Sequence, residues 1–204
     1  QTESATAQSK IDEIIVTASK RATSLQDTAL SVSAISGADL SKLGITNFDQ
    51  ILGTIPGATV IEAGPGVSAV SYRGIGSSTF LGGNKTTSTY IDDFPLGLGD
   101  IDIKLVDMAQ IEVLKGPQGT LYGQSALGGV MRFITNKPDF NALSGGIDGT
   151  FESVASGDNG YQGQGYINVP LSDNLAVRAV FYDYDSAGFI DNLGTGTKDI
   201  NTEE

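Results

Sequence analysis

The sequence predicts a β-rich α+β fold that gives way, towards its C-terminal end, to longer antiparallel strands. Three observations predict it. Twenty-seven glycines against six prolines, with aliphatic residues spread in short pieces, favour short strands and tight turns over long helices. Two stretches, Ser36-Gly37-Ala38-Asp39 and Thr46-Asn47-Phe48-Asp49, carry the opening signature of short helices. After Asn136-Lys137-Pro138 the alternation of apolar and polar residues lengthens. At 204 residues the chain accommodates one domain, or one domain and the beginning of a second.

Taken in order, residues 1–10 are small, polar and without period, which predicts a disordered tail. Ile11, Ile14, Ile15 and Val16 then make an isolated apolar, β-branched run, D-E-I-I-V-T-A from Asp12 to Ala18. Leu30 to Ile35 alternates as a half-buried strand, Ser36 and Asp39 offer a capping box, and Gly44 supplies the stop. Phe48, Ile51 and Leu52 recur at helical spacing before Pro56-Gly57 turns the chain. Strand-like pieces follow at Thr59–Glu62, Ala69–Tyr72, Thr87–Asp92, Gln110–Leu114 and Val130–Thr135. The long connections Gly74–Thr86 and Pro95–Ile103 are the first places to seek binding.

Beyond Pro138, the segments Ile147–Ala155, Tyr161–Val169 and Leu175–Phe181 place Ile147, Phe151, Tyr161, Ile167, Val169, Leu175, Val177 and Phe181 at odd positions. Asp148, Thr150, Glu152, Gln162, Gln164, Asn168 and Arg178 occupy even ones. Each segment is close to the roughly 9 to 11 residues with which a tilted strand crosses a bilayer. The pattern fits a barrel wall and, equally, an antiparallel meander with one face on a core.

A formal net charge of −12 repels a phosphate backbone, which argues against nucleic-acid binding. With neither cysteine nor histidine there is no disulfide framework, no imidazole metal site and no His-based triad, so no cofactor or metal is expected. The common glycine-rich phosphate cradles are absent on spacing. Asp92-Asp93 reads as a turn rather than an acid/base pair, because neighbours on a strand point to opposite faces. No window approaches the ~20 apolar residues of a membrane-spanning helix, and no signal peptide opens the sequence. If the chain is exported, Gln1 falls at or near the mature N-terminus.

From Asp12 to about Asn192 the sequence resembles the TonB-dependent receptors, outer-membrane active transporters of bacteria. The motifs come in the family's order: D-E-I-I-V-T-A, L-G-T-I-P-G at Leu52–Gly57, S-Y-R-G at Ser71–Gly74 and Y-I-D-D-F-P-L at Tyr90–Leu96. Then follow I-E-V-L-K-G-P-Q-G-T-L-Y-G at Ile111–Gly123, A-L-G-G-V at Ala126–Val130 and T-N-K-P at Thr135–Pro138. The resemblance implies an α+β plug domain, a small mixed sheet with short helices, over residues 21–138. Residues 139–204 are then the first three or so strands of an antiparallel transmembrane β-barrel of about 22 strands, incomplete in this chain. Gly188-Phe189-Ile190-Asp191-Asn192 and Asp199-Ile200-Asn201 look like the family's second outer loop.

The resemblance also assigns roles. Residues 11–20 hold the TonB box with its flank, and Asp12, Glu13, Ile14, Ile15, Val16, Thr17 and Ala18 are suited to joining a partner's sheet edge by β-augmentation. The partner implied is TonB with its inner-membrane energising complex, acting from the periplasm. An alternative for the same run is a strand docked in the plug's own sheet. Arg73 and Lys115 are implied to latch the plug to acidic residues of the barrel, with Lys115 offering a point charge where many relatives have arginine; the bland reading of these charges, and of Glu112, is a solvated surface. Turns at Gly64, Pro65, Gly66 and Val67, at Ser77, Ser78, Thr79, Phe80, Leu81 and Asn84, and at Leu96 and Leu98 are expected to face substrate, or to be plain loop.

The function so implied is energy-coupled uptake of a scarce nutrient, a ferric siderophore or similar large solute, across the outer membrane, without enzymatic chemistry. Outer-membrane lipid and the transported solute are the other expected partners. A soluble secreted β-rich binding or adhesion module is the rival, and a carboxylate-only hydrolase ranks last for want of a converging acid pair.

Overall fold

The computed structural model describes residues 14–17, 20, 23–28, 30–45, 48–64, 67–76, 85–96, 100–101, 103–123, 125–155, 157–188, 190–191 and 193–198. The chain divides into two compact units, Gln1–Thr135 and Asn136–Glu204. The first opens with β1 (Ile15–Val16) and β2 (Thr23–Ser24), then β3 (Val32–Ser36), α1 (Gly37–Leu43), α2 (Phe48–Thr54), β4 (Ala58–Gly64) and β5 (Val67–Tyr72). It continues with β6 (Ile75–Gly76), β7 (Thr87–Ile91), β8 (Phe94–Pro95), β9 (Asp100–Ile101), β10 (Met108–Lys115), α3 (Gly119–Tyr122) and β11 (Gly129–Thr135).

Among the described residues the main sheet runs β3-β10-β11-β7-β8. It is mixed: β10 is antiparallel to β3 and β11, while β11 and β7 are parallel. Its centre is the apolar alternation of I-E-V-L-K, which sends Ile111 and Val113 to one face and Glu112 and Leu114 to the other. On the first face Ile111, Val113, Met131 and Phe133 pack with Leu40 of α1, with Phe48, Ile51 and Leu52 of α2, and with Val70 and Tyr72 of β5. Full burial of such side chains contributes roughly 1.5–3 kcal/mol each. On the second face Leu114, Val130 and Ala126 pack with Tyr122, and Val32 and Tyr90 lean against them.

The helix signals act as expected. Ser36 caps α1 by accepting from the Asp39 amide at 3.1 Å, and its hydroxyl donates to the Asp39 carboxylate at 2.7 Å. Gly44, at φ 65°, closes the helix in the left-handed conformation. The short helix α3 is not foreshadowed by periodicity, since four residues hold barely one turn; its Tyr122 is buried and fixes it to the sheet. The two long connections carry the small pairings β5–β6, β7–β8 and β5–β9.

The second unit contains β12 (Ser144–Ser153), β13 (Asn159–Ser172) and β14 (Leu175–Asp185) as an antiparallel meander. Ile147, Phe151, Tyr161, Ile167, Val177 and Phe181 are exposed on one face, Ile147 at 83%. On the other, the Arg178 guanidinium lies 3.9 Å from the Tyr166 ring centroid. The turn expected at Pro170–Asn174 is tighter, because Pro170 stays extended and pairs with Ala176 before the register shifts ahead of Ser172. No described helix is long and apolar enough to cross a membrane, which says nothing of strands.

Candidate functional site

Of the run expected to couple the chain to a partner, Ile14 to Thr17 are described, whereas Asp12, Glu13 and Ala18 lie outside the described residues. Ile15 and Val16 pair antiparallel with Ser24 and Thr23, and the Leu25 amide donates to the Ile14 carbonyl at 2.9 Å. The segment is thus a docked strand, paired with β2 rather than added to the main sheet. Val16 is fully buried. The Gln110 side-chain amide donates to the Ile15 carbonyl at 3.0 Å, and the Thr17 backbone amide donates to Glu112 Oε1 at 2.6 Å.

Glu112 itself is buried to 0% exposure, so it is not a solvated charge. It pairs with Arg132 at 2.8 Å, directly opposite on β11, where a cation interrupts V-M-R-F-I. Arg132 also donates to the Thr17 hydroxyl at 2.8 Å and lies 3.7 Å from Asp93. Lys20 meets Asp93 at 3.2 Å and sits over the Tyr122 ring. The solvated surface that is the ordinary expectation for Glu112 does not hold, and Arg132 carries a signal of its own in the sequence: a cation inside a buried strand run demands a partner.

The two cations expected to latch the plug do come together. Arg73 donates to the Ser31 hydroxyl at 2.7 Å, and Lys115 donates to the Ser33 hydroxyl at 3.0 Å and the Pro56 carbonyl at 3.2 Å. Among the described residues neither meets a carboxylate. Burial, and secondarily the positive charge of Arg73, hold the Lys115 ammonium below its ordinary pKa. Arg73 occupies the left-handed region at φ 52°, followed by Gly74 at φ 80°, as the hairpin between β5 and β6 requires.

Of the turns expected to face substrate, Gly64 and Val67 are paired across the β4–β5 end. Leu96 packs against the first core cluster, drawn in by the bond from its amide to the Thr89 carbonyl. Pro65, Gly66, Ser77, Ser78, Thr79, Phe80, Leu81, Asn84 and Leu98 lie outside the described residues. Asp92, in its turn at φ 53°, accepts from the Thr135 amide and hydroxyl at 3.1 and 2.9 Å, which ties that carboxylate to the end of β11.

A small mixed sheet covered by short helices, with an N-terminal segment docked on it and long antiparallel strands after it, defines the plug end of an outer-membrane receptor. Residues 24–130 match the family of the TonB-dependent receptor plug domain. The chain belongs to this family. It is 32% identical over 199 residues to the pesticin receptor of Yersinia pestis, covering 96% of this chain and 28% of that protein. To the iron-regulated outer membrane virulence protein of Vibrio cholerae it is 35% identical over 179 residues, covering 83% and 27%. The crystal structure of the ferric yersiniabactin uptake receptor of Yersinia pestis shares the fold at TM-score 0.73 and 26% identity, over 85% of this chain and 27% of that one. The chain therefore spans between a quarter and a third of the length of these relatives. They are named as receptors and an outer-membrane virulence protein, none as an enzyme, and the family places the chain at the bacterial outer membrane.

Proposed function

We propose that the chain is the gate and the coupling handle of an energy-dependent importer, carrying a ferric siderophore or a solute of similar size across the outer membrane. The observation that carries this reading is a plug fold bearing a short apolar strand, Ile15–Val16, docked with Val16 buried and held by a two-residue ladder and a few side-chain bonds. Two ladder residues can be exchanged for a partner's sheet edge, as β-augmentation requires, once the side-chain bonds to Gln110 and Glu112 are released. Two relatives whose names or titles concern iron support the choice of cargo class.

In this reading residues 1–10 are a tail, 11–20 hold the TonB box and flank, 21–138 the plug and 139–204 the first wall strands. TonB captures Asp12–Ala18 from the periplasm and transmits force to the plug. Arg73 and Lys115, which bond Ser31 and Ser33 at the start of β3 without an acidic partner among the described residues, meet carboxylates supplied by the rest of the barrel. The turns around 64–67, 77–84 and 96–98 face the solute, with Leu96 contributing from a partly buried position. The exposed apolar face of β12–β14 meets lipid. No bond is made or broken in the cargo.

The test is deletion of Asp12 to Ala18 in the full-length receptor, with solute binding and solute uptake measured on the same cells. Binding at the wild-type level with uptake abolished is the expected outcome; uptake at the wild-type rate would sink the coupling role.

A further inference from the structure

The buried ion pair on the second face of the plug sheet is completed by the N-terminal segment. Glu112 Oε1 accepts three hydrogen bonds: from the Thr17 backbone amide at 2.6 Å, the Thr17 hydroxyl at 3.2 Å and the Gln110 side-chain amide at 2.7 Å. Its other oxygen accepts from Arg132 at 2.8 Å. The same Arg132 nitrogen donates to the Thr17 hydroxyl, so this one threonine bridges both members of a pair exposed by no more than 7%. Withdrawal of residues 14–17 strips two donors from a carboxylate that has no solvent access. Arg132 and the Gln110 side chain remain, but a buried carboxylate that gives up two of its donors is destabilised by the bonds it loses.

The docked segment is at the same time closed to others. The Ile14 carbonyl is taken by Leu25, the Ile15 carbonyl by Gln110, the Thr17 amide by Glu112 and the Thr17 carbonyl by the Lys20 amide. A partner sheet edge that needs those same main-chain groups finds them occupied. We propose that Glu112, oriented by Arg132, is the positioning residue that keeps residues 14–17 docked, and that the segment opens to a partner strand only when the bonds between Thr17 and Glu112 break. Glu112 is then a latch on the coupling handle, tuned by charge. This rests on the coupling role proposed above for residues 12–18.

The experiment is amide hydrogen exchange on the full-length receptor in detergent, read over residues 14–17, with residues 129–135 of β11 as the fold control. Glu112→Gln keeps an acceptor of the same shape and removes the charge. Thr17→Val removes both hydroxyl bonds while leaving the ion pair itself in place, so it carries the test if Glu112→Gln fails to fold. In wild type the segment is protected. In either variant, with β11 still protected, exchange over 14–17 rises roughly tenfold, the size set by weakening a hydrogen bond to a charged group. Wild-type protection in both folded variants, or an unprotected segment in wild type, overturns the proposal.

A second measurement separates the latch from the coupling role. Binding of the purified periplasmic domain of TonB to the Glu112→Gln receptor is expected to tighten by the factor seen in exchange. Faster exchange with unchanged partner affinity leaves the latch standing and removes the coupling reading; unchanged exchange removes the latch whatever the partner does.

Discussion

Asn168 is fully buried and commits its whole side-chain amide to the main chain just upstream of β12. Its oxygen accepts from the Asp139 amide at 2.8 Å, and its nitrogen donates to the Asp139 and Ala142 carbonyls at 2.9 and 2.8 Å. An amide serves an N–H and a C=O together, which neither a carboxylate nor an aliphatic group does. Asn168→Asp is therefore expected to loosen the 139–142 segment by about 1–3 kcal/mol, the penalty of unmet buried polar groups. Faster amide exchange over residues 139–143, with β13 unaffected beyond its neighbours, is the readout. The sequence placed Asn168 only among polar even positions, since alternation reports a face and not what waits there.

Arg73 poses the opposite case, a residue set where its backbone is uncomfortable. A left-handed conformation disfavours an L side chain by roughly 1–2 kcal/mol, and Asn tolerates it better. The Arg73→Asn receptor is accordingly expected to melt no lower than wild type, and up to about 1 kcal/mol more stably if the lost bond to Ser31 matters little. If the cation seats the plug, the same variant leaks small solutes through the outer membrane. Higher stability together with a leak is the signature of a strained residue retained for its charge.

At the level of elements, α1, α2 and the longer strands were legible because each rests on a local rule, whereas α3 and the two-residue strands β2, β6, β8 and β9 were too short to carry one. The Ser36 cap, the Gly44 stop and the I-E-V-L-K alternation are all within a few residues of the structure they produce. Pairings between distant strands left no such mark. Nothing local announces that β11 runs parallel to β7 or that Ile15–Val16 pairs with Thr23–Ser24. At the start of β11, Gly129 shows the tertiary demand most sharply: a Cβ there would stand 2.5 Å from the Leu114 carbonyl oxygen and 2.6 Å from the Tyr72 ring. Gly129→Ala is expected to destabilise the plug by about 1–3 kcal/mol through overpacking, measured by denaturant unfolding followed at β11. A melt unchanged from wild type would show that Tyr72 yields more readily than its burial suggests.

For the whole molecule, the two units face different demands. The first closes around its own core, whereas the second leaves Ile147, Phe151, Tyr161, Ile167 and Phe181 exposed on a sheet whose outer strands, β12 and β14, have no further strand beside them among the described residues. Contiguous exposed apolar surface with unpaired edges drives association. A polypeptide of residues 1–135 is expected to remain monomeric in aqueous buffer, and one of residues 1–204 to associate unless detergent is present, as light scattering on a sizing column would report. The family was legible from motif order, because the motifs mark turns and buried strands that recur wherever the plug recurs. Docking of residues 14–17 stood among the alternatives for an apolar β-branched run, but its pairing with Thr23–Ser24 did not show, since nothing local marks a two-residue partner.

The place of β3 in the sheet has a mechanical consequence. Met first when the chain is followed from its N-terminus into the main sheet, β3 lies at the margin and, among the described residues, has β10 as its sole ladder partner. Tension arriving from the N-terminal side would peel this strand away along one seam, leaving β10, β11, β7 and β8 joined to one another. The sheet thus has its margin on the side of the N-terminal segment, with four strands behind it that stay joined without β3.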